Sequence, residues 1–83
     1  MQFIGLRRFP EGARVRYIGT NPGVSLKRGE TGTVVGVEAV YGMTPPIVYN
    51  VDWDIEDFGK HDCDGKAREY HGWNVMETMI EDE

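Results

Sequence analysis

His61, Cys63 and His71, with Asp62 and Asp64 interleaved, have the richest chemistry available to any side chains of this sequence. A thiolate and two imidazoles suit Zn²⁺, and a carboxylate or a water would complete a tetrahedron. The spacing is H-x-C-x7-H, without the paired C-x2-C that marks structural zinc sites. The competing arrangement has His61 and Asp62 pinning the local chain onto the rest of the fold through hydrogen bonds, with Cys63 as a small buried apolar group. We favour the pinning arrangement, with a zinc-stabilised fold behind it and no other cofactor. The same groups could act as nucleophile and base, with Asp62 or Asp64 orienting an imidazole. A chain this small has little room for a deep pocket and carries no independent oxyanion-hole signature, so we expect no enzyme. Asp52, Asp54, Glu56, Asp57, Asp62 and Asp64 collect oxygen ligands of the kind Ca²⁺ or Mg²⁺ takes. An EF-hand register begun at Asp52 puts Asp57 at the obligatory glycine and Cys63 at the bidentate glutamate, so that motif is absent and an exposed acidic rim is the simpler reading.

Two further constellations concern binding. Arg14, Arg16, Lys27 and Arg28 with Tyr17 would give cations for phosphates and a ring for stacking, which suits nucleic acid or a compact anionic nucleotide. The acidic remainder of the chain opposes a polyanion and leaves the small ligand as the sharper version. Tyr17, Tyr41, Tyr49, Trp53, Tyr70 and Trp73 include more large rings than one small core needs, which is the signature of a protein-binding surface. Tyr70 and Trp73, with Asp57, Asp62 and Asp64, are the residues we expect at such a contact, and Trp53 and Trp73 are also candidates for the core.

Eighty-three residues make one domain, 1–83, expected to bury roughly 60–65% of the surface its unfolded chain exposes. The net charge of −5 conceals a division. Residues 1–29 carry six cations against Glu11 alone, and residues 30–83 carry three cations against thirteen carboxylates. A closed barrel can interleave the two halves in space. One cysteine excludes an internal disulfide, and with no basic-plus-apolar leader at the start we expect a reducing, cytoplasmic setting without membrane association.

The elements that would position these groups read as strands. Residues 29–37, G-E-T-G-T-V-V-G-V, alternate Thr31, Thr33, Val35 and Val37 against Gly32, Val34, Gly36 and Glu38, as in a strand buried mainly on one face. The glycines suggest a bulge or corner, hence a barrel strand, continuing through Ala39, Val40 and Tyr41. Residues 13–18 form an earlier strand with Val15 and Tyr17 inward and Arg14 and Arg16 outward. Asn21-Pro22-Gly23 marks a turn in a long first loop, with Val24 and Leu26 tucked beneath it. Pro45 and Pro46 break the chain before residues 47–54, where Ile47, Tyr49, Val51 and Trp53 alternate with polar residues as the antiparallel partner of the glycine-rich strand. Residues 55–70 form a long acidic loop, 71–75 a short strand, and 76–80 a turn leading to a last short strand, followed by a solvated tail at 81–83. Residues 1–12 should pack on the barrel. The expected fold is all-β: a small SH3-like barrel of about five strands with a long loop before the fourth.

G-A-R-V-R-Y-I, G-E-T-G-T-V-V-G-V and Y-N-V-D-W-D resemble the opening strands of SH3-like barrels of the KOW type in translation and transcription factors. G-K-H-D-C-D-G at 59–65 with H-G-W-N-V at 71–75 is similar to a motif of small bacteriophage proteins with an SH3-like barrel, which often carry glycine where this chain has Tyr70. The resemblance implies a phage or prophage origin and a binding role without a reaction. The expected function is a non-enzymatic module that binds a host protein and modulates it. The alternative is a binder of a small anionic nucleotide or nucleic acid through the N-terminal arginines.

Overall fold

The computed structural model describes residues 8–20, 25–39, 42 and 47–83. Five strands form one antiparallel sheet: β1 (Arg14–Tyr17), β2 (Thr31–Ala39), β3 (Ile47–Trp53), β4 (Gly72–Met76) and β5 (Ile80–Asp82), in the order β4-β3-β2-β1-β5. β4 and β5 lie at opposite edges of that order, yet only a 3-10 turn, Glu77–Met79, separates them in sequence. Four flat inter-strand steps would need about 19 Å, and the connection, even fully extended, reaches about 14 Å. The sheet therefore has to curl, and the fold is the small all-β, SH3-like barrel that the alternation suggested, with its long loop before the fourth strand.

β2 supplies the curvature through a bulge. Val34 pairs with Val51 and Gly36 with Asn50, leaving Val35 without an opposite residue. The extra residue exchanges the strand's faces. Before it, Gly32 and Val34 point inward; after it, Val37 packs against the core opposite Tyr49, and Gly36 faces outward with Asn50. The single buried face expected for 29–37 is thus corrected to two half-faces joined at Val35. Gly36 is buried all the same, because Asn50 and the Lys66 stem cover it.

The inward set of β3 matches its alternation: Ile47, Tyr49, Val51 and Trp53 are all buried, and full burial of one such side chain stabilises the fold by about 1.5–3 kcal/mol. Trp53 meets Tyr17 edge-on at 6.0 Å and donates its indole N–H to the Trp73 carbonyl. Phe9 closes one end of the interior, edge-on to Tyr49 at 5.5 Å, and the Tyr49 hydroxyl accepts from the Arg8 amide at 3.0 Å. Leu26 enters the core from the first loop. Residues 1–7 of the N-terminal segment, the Asn21-Pro22-Gly23 turn, Val24, the continuation through Val40 and Tyr41, and the Pro45-Pro46 break lie outside the described residues. The expected solvated tail is corrected: Ile80–Asp82 pairs with β1, and the Glu83 amide donates to the Arg14 carbonyl.

Gly32 tests the close packing of β2 on β3, since a Cβ there would meet the Asp52 carbonyl oxygen at 2.7 Å and Val51 Cγ1 at 2.8 Å. Gly32→Ala should cost about 1–3 kcal/mol in urea unfolding while the far-ultraviolet spectrum keeps its all-β form.

Candidate functional site

The long acidic loop is fixed to the barrel at successive points. Lys60 is 3% exposed, and its ammonium donates to Glu30 Oε1 at 2.8 Å and to the Ile55 carbonyl at 2.6 Å. Glu30, at the mouth of β2, accepts the Lys27 amide on its other oxygen at 2.8 Å, so the carboxylate is held from both sides. Asp57 takes its backbone from Tyr70, its amide donating to the Tyr70 carbonyl at 2.9 Å, while its side chain accepts the Gly59 amide at 2.7 Å. Gly59 lies so close to Ser25 of the first loop that a Cβ would fall on the serine hydroxyl. His61 and Gly72 exchange two backbone hydrogen bonds, adding a one-residue bridge to the free side of β4. Arg68 grips Asp52 of β3 through its guanidinium at 2.8 Å and its amide at 2.9 Å.

The segment around Cys63 covers a polar cluster on the outer face of β2, β3 and β4. Asn50 is fully buried there, donating to Asn74 Oδ1 at 2.8 Å and Glu38 Oε1 at 3.1 Å and accepting from the Lys66 ammonium at 3.2 Å. A buried carboxamide without those partners would cost about 1–3 kcal/mol. Cys63 and Asp64 both have positive φ, and the Gly65 amide donates to the Asp62 carbonyl across them, as in a type I′ turn. The turn is held by the Cys63 sulfur, which lies 3.3 Å from Asn74 Oδ1, and by the Cys63 amide, which donates to His61 Nδ1 at 2.9 Å.

This geometry assigns the groups considered for metal and nucleophilic chemistry. His61 Nδ1 is occupied as an acceptor, and His71 Nδ1 lies 2.6 Å from the Trp53 carbonyl, to which it must donate. Cys63 is buried, and desolvation pushes its thiol up to about 11. Among the described residues no three His, Cys, Asp or Glu side chains converge as a metal site would require. Asp62 pins the turn through its backbone carbonyl and leaves its side chain exposed, as Asp64 does.

The anion constellation is not brought together. Tyr17 is a core residue with no face for stacking. Arg14 bonds Asp54 at 2.5 Å and Glu83 at 2.8 Å, Arg16 reaches Glu81 at 3.4 Å, and Arg28 donates to the Ile18 carbonyl. Lys27 is exposed.

Of the expected contact residues, Tyr70 and Trp73 are half-buried and Asp57 is exposed. Trp73 packs on the core on one side and against the His61 ring, 5.4 Å away, on the other. Among the described residues, the large apolar side chains left exposed are two that the sequence reading passed over: Phe58, 85% exposed, and Ile55, 57% exposed. Phe58 stands edge-on to Tyr70 at 5.0 Å and 78°. Tyr70 itself has φ +65, a left-handed conformation that costs a non-glycine residue energy and turns its ring beside Phe58. The available signal was a large apolar residue inside a hydrophilic stretch, between Asp57 and Gly59, with no alternating partner to draw it into a strand. No helix among the described residues is long and apolar enough to cross a membrane. No family model, curated protein or solved structure matches the chain.

Lys60→Met should cost about 3–5 kcal/mol in chemical unfolding by leaving the Glu30 carboxylate buried without its cation, and Lys60→Met with Glu30→Gln should return part of that loss. The acid limb tests Asp54. Hydrogen bonding from Arg14, opposed by slight burial and aided by Thr31, holds its carboxyl down at about 2 from the usual 3.8. A depressed carboxyl stabilises the fold above its unfolded value and ceases to do so as pH falls through the folded one. Thermal stability should therefore fall between about pH 4 and pH 2, and Asp54→Asn should flatten that slope, by less than about 1 kcal/mol because the pair is solvent-exposed.

Proposed function

We propose that this chain is a non-enzymatic binding module whose contact surface is the ridge of Phe58, Tyr70 and Ile55 on the anchored loop. The observation that carries the reading is Phe58, a large apolar ring 85% exposed yet carried on a segment tied to the barrel by a buried ion pair. An exposed aromatic on fixed backbone binds with little loss of conformational freedom, which is the condition under which one ring dominates an interface. Its backbone neighbours share the anchoring, since Asp57 is bonded to Tyr70 and Gly59 abuts Ser25. Tyr70, Trp73 and Asp57 then flank or support the contact, and Asp62 and Asp64 lie further along the same loop.

The motif resemblance at 59–65 and 71–75 supports a phage origin, a host protein as the partner, and the host cytoplasm as the place of action. Binding at the ridge would change that protein's activity by occupying one of its own surfaces. The arginine-centred alternative lacks comparable support, because its ring is in the core and its arginines already bond carboxylates or a carbonyl.

Phe58→Ser removes the ring with little effect on the interior, so folding and binding separate cleanly. Affinity capture from bacterial host lysate should lose the co-purifying protein by roughly tenfold or more with Phe58→Ser at an unchanged melting temperature. Equal capture by the two proteins would remove the ridge from consideration.

A further inference from the structure

The chemistry of the partner follows from how the loop spends its charges. Residues 54–70 contain three cations, and each is bonded to a carboxylate outside that segment: Lys60 to Glu30, Lys66 to Glu38 and Arg68 to Asp52. Asp54 is matched by Arg14. Glu56, Asp57 and Glu69 are exposed, take part in no ion pair among the described residues, and are the chain neighbours of Ile55, Phe58 and Tyr70. The apolar ridge thus sits among unneutralised carboxylates, with every cation of its own segment already committed to holding the loop.

We infer that the ridge receives a cationic polypeptide segment, in which arginine or lysine side chains meet the carboxylates and lay their stems and charged heads against the Phe58 and Tyr70 rings. This deepens the binding-module reading and rests on it. A guanidinium stacks on an aromatic face and hydrogen-bonds a carboxylate at once, so arginine fits this mixture better than an apolar or acidic partner. Nucleic acid is repelled by the same carboxylates. A second copy docked ridge to ridge would place Glu56, Asp57 and Glu69 against their own equivalents, because a two-fold interface presents one patch to itself.

The test uses the full chain and a fluorescein-labelled peptide of alternating arginine and leucine, with a control in which glutamate replaces arginine. Fluorescence anisotropy should show binding of the arginine peptide only, weakening as salt rises from low to physiological strength. Phe58→Ser and the double variant Glu56→Lys/Glu69→Lys should each weaken it by roughly tenfold. Neither variant touches the Lys60 anchor, and unchanged melting temperatures verify that the loop is intact. Equal binding of both peptides, no binding of the arginine peptide, undiminished binding by the charge-reversed variant, or ridge-dependent dimerisation in light scattering would each overturn the inference. Lysate capture separates the two levels: loss with Phe58→Ser but not with Glu56→Lys/Glu69→Lys keeps the binding surface and rejects its cationic partner. Capture indifferent to Phe58→Ser rejects the surface itself.

Discussion

The ion pair between Lys60 and Glu30 is the interaction on which the presentation of the loop depends. Neither charge has appreciable access to water, so each requires the other, and removal of one is far costlier than loss of a surface pair worth about 0–1 kcal/mol. Glu30 fixes the exit of the first loop through Lys27, while Lys60 fixes the start of the late loop through the Ile55 carbonyl. Two segments that are remote in sequence are thereby registered against one another at the mouth of the barrel. Phe58 lies two residues from this anchor, so a ring that leans on Tyr70 is carried on fixed backbone.

The barrel was readable where a local pattern carries the physics, and opaque where distant residues do. The pleat alone places Tyr49, Val51 and Trp53 on one side of β3, and the two outward arginines of β1 follow from the same period. The glycines of β2 announced an irregularity but could not place it: only the pairing of Gly36 with Asn50 shows that Val35 is the extra residue and that the inward set changes there. Burial of Lys60 has no local signature at all, since a lysine between Gly59 and His61 reads as a solvated loop residue until Glu30 is brought to it. The last three residues looked like a free tail because β5 owes its strand character to β1 rather than to its own composition. The site was legible only as a region: the loop was identified, but the ring that protrudes from it was not.

Folding also rearranges the charge division written along the chain. Two arginines of the cationic beginning, Arg14 and Arg16, are drawn beside carboxylates supplied by the acidic end on the neighbouring strand β5 and the residue after it. Partial burial opposes ionisation of Asp52, yet the hydrogen bonds from Arg68 outweigh it and lower its carboxyl below the ordinary range. What the folded surface shows is therefore what remains after these pairings.

The buried sulfur of Cys63 gives the molecule an internal clock. The thiol is shielded by the turn that it helps to hold and is poorly ionised while it stays buried, so a thiol reagent has to wait for the turn to lift away from Asn74. Alkylation in the native state consequently counts openings of this one segment, reporting how often the polar cluster beneath it is uncovered without any label having to be introduced.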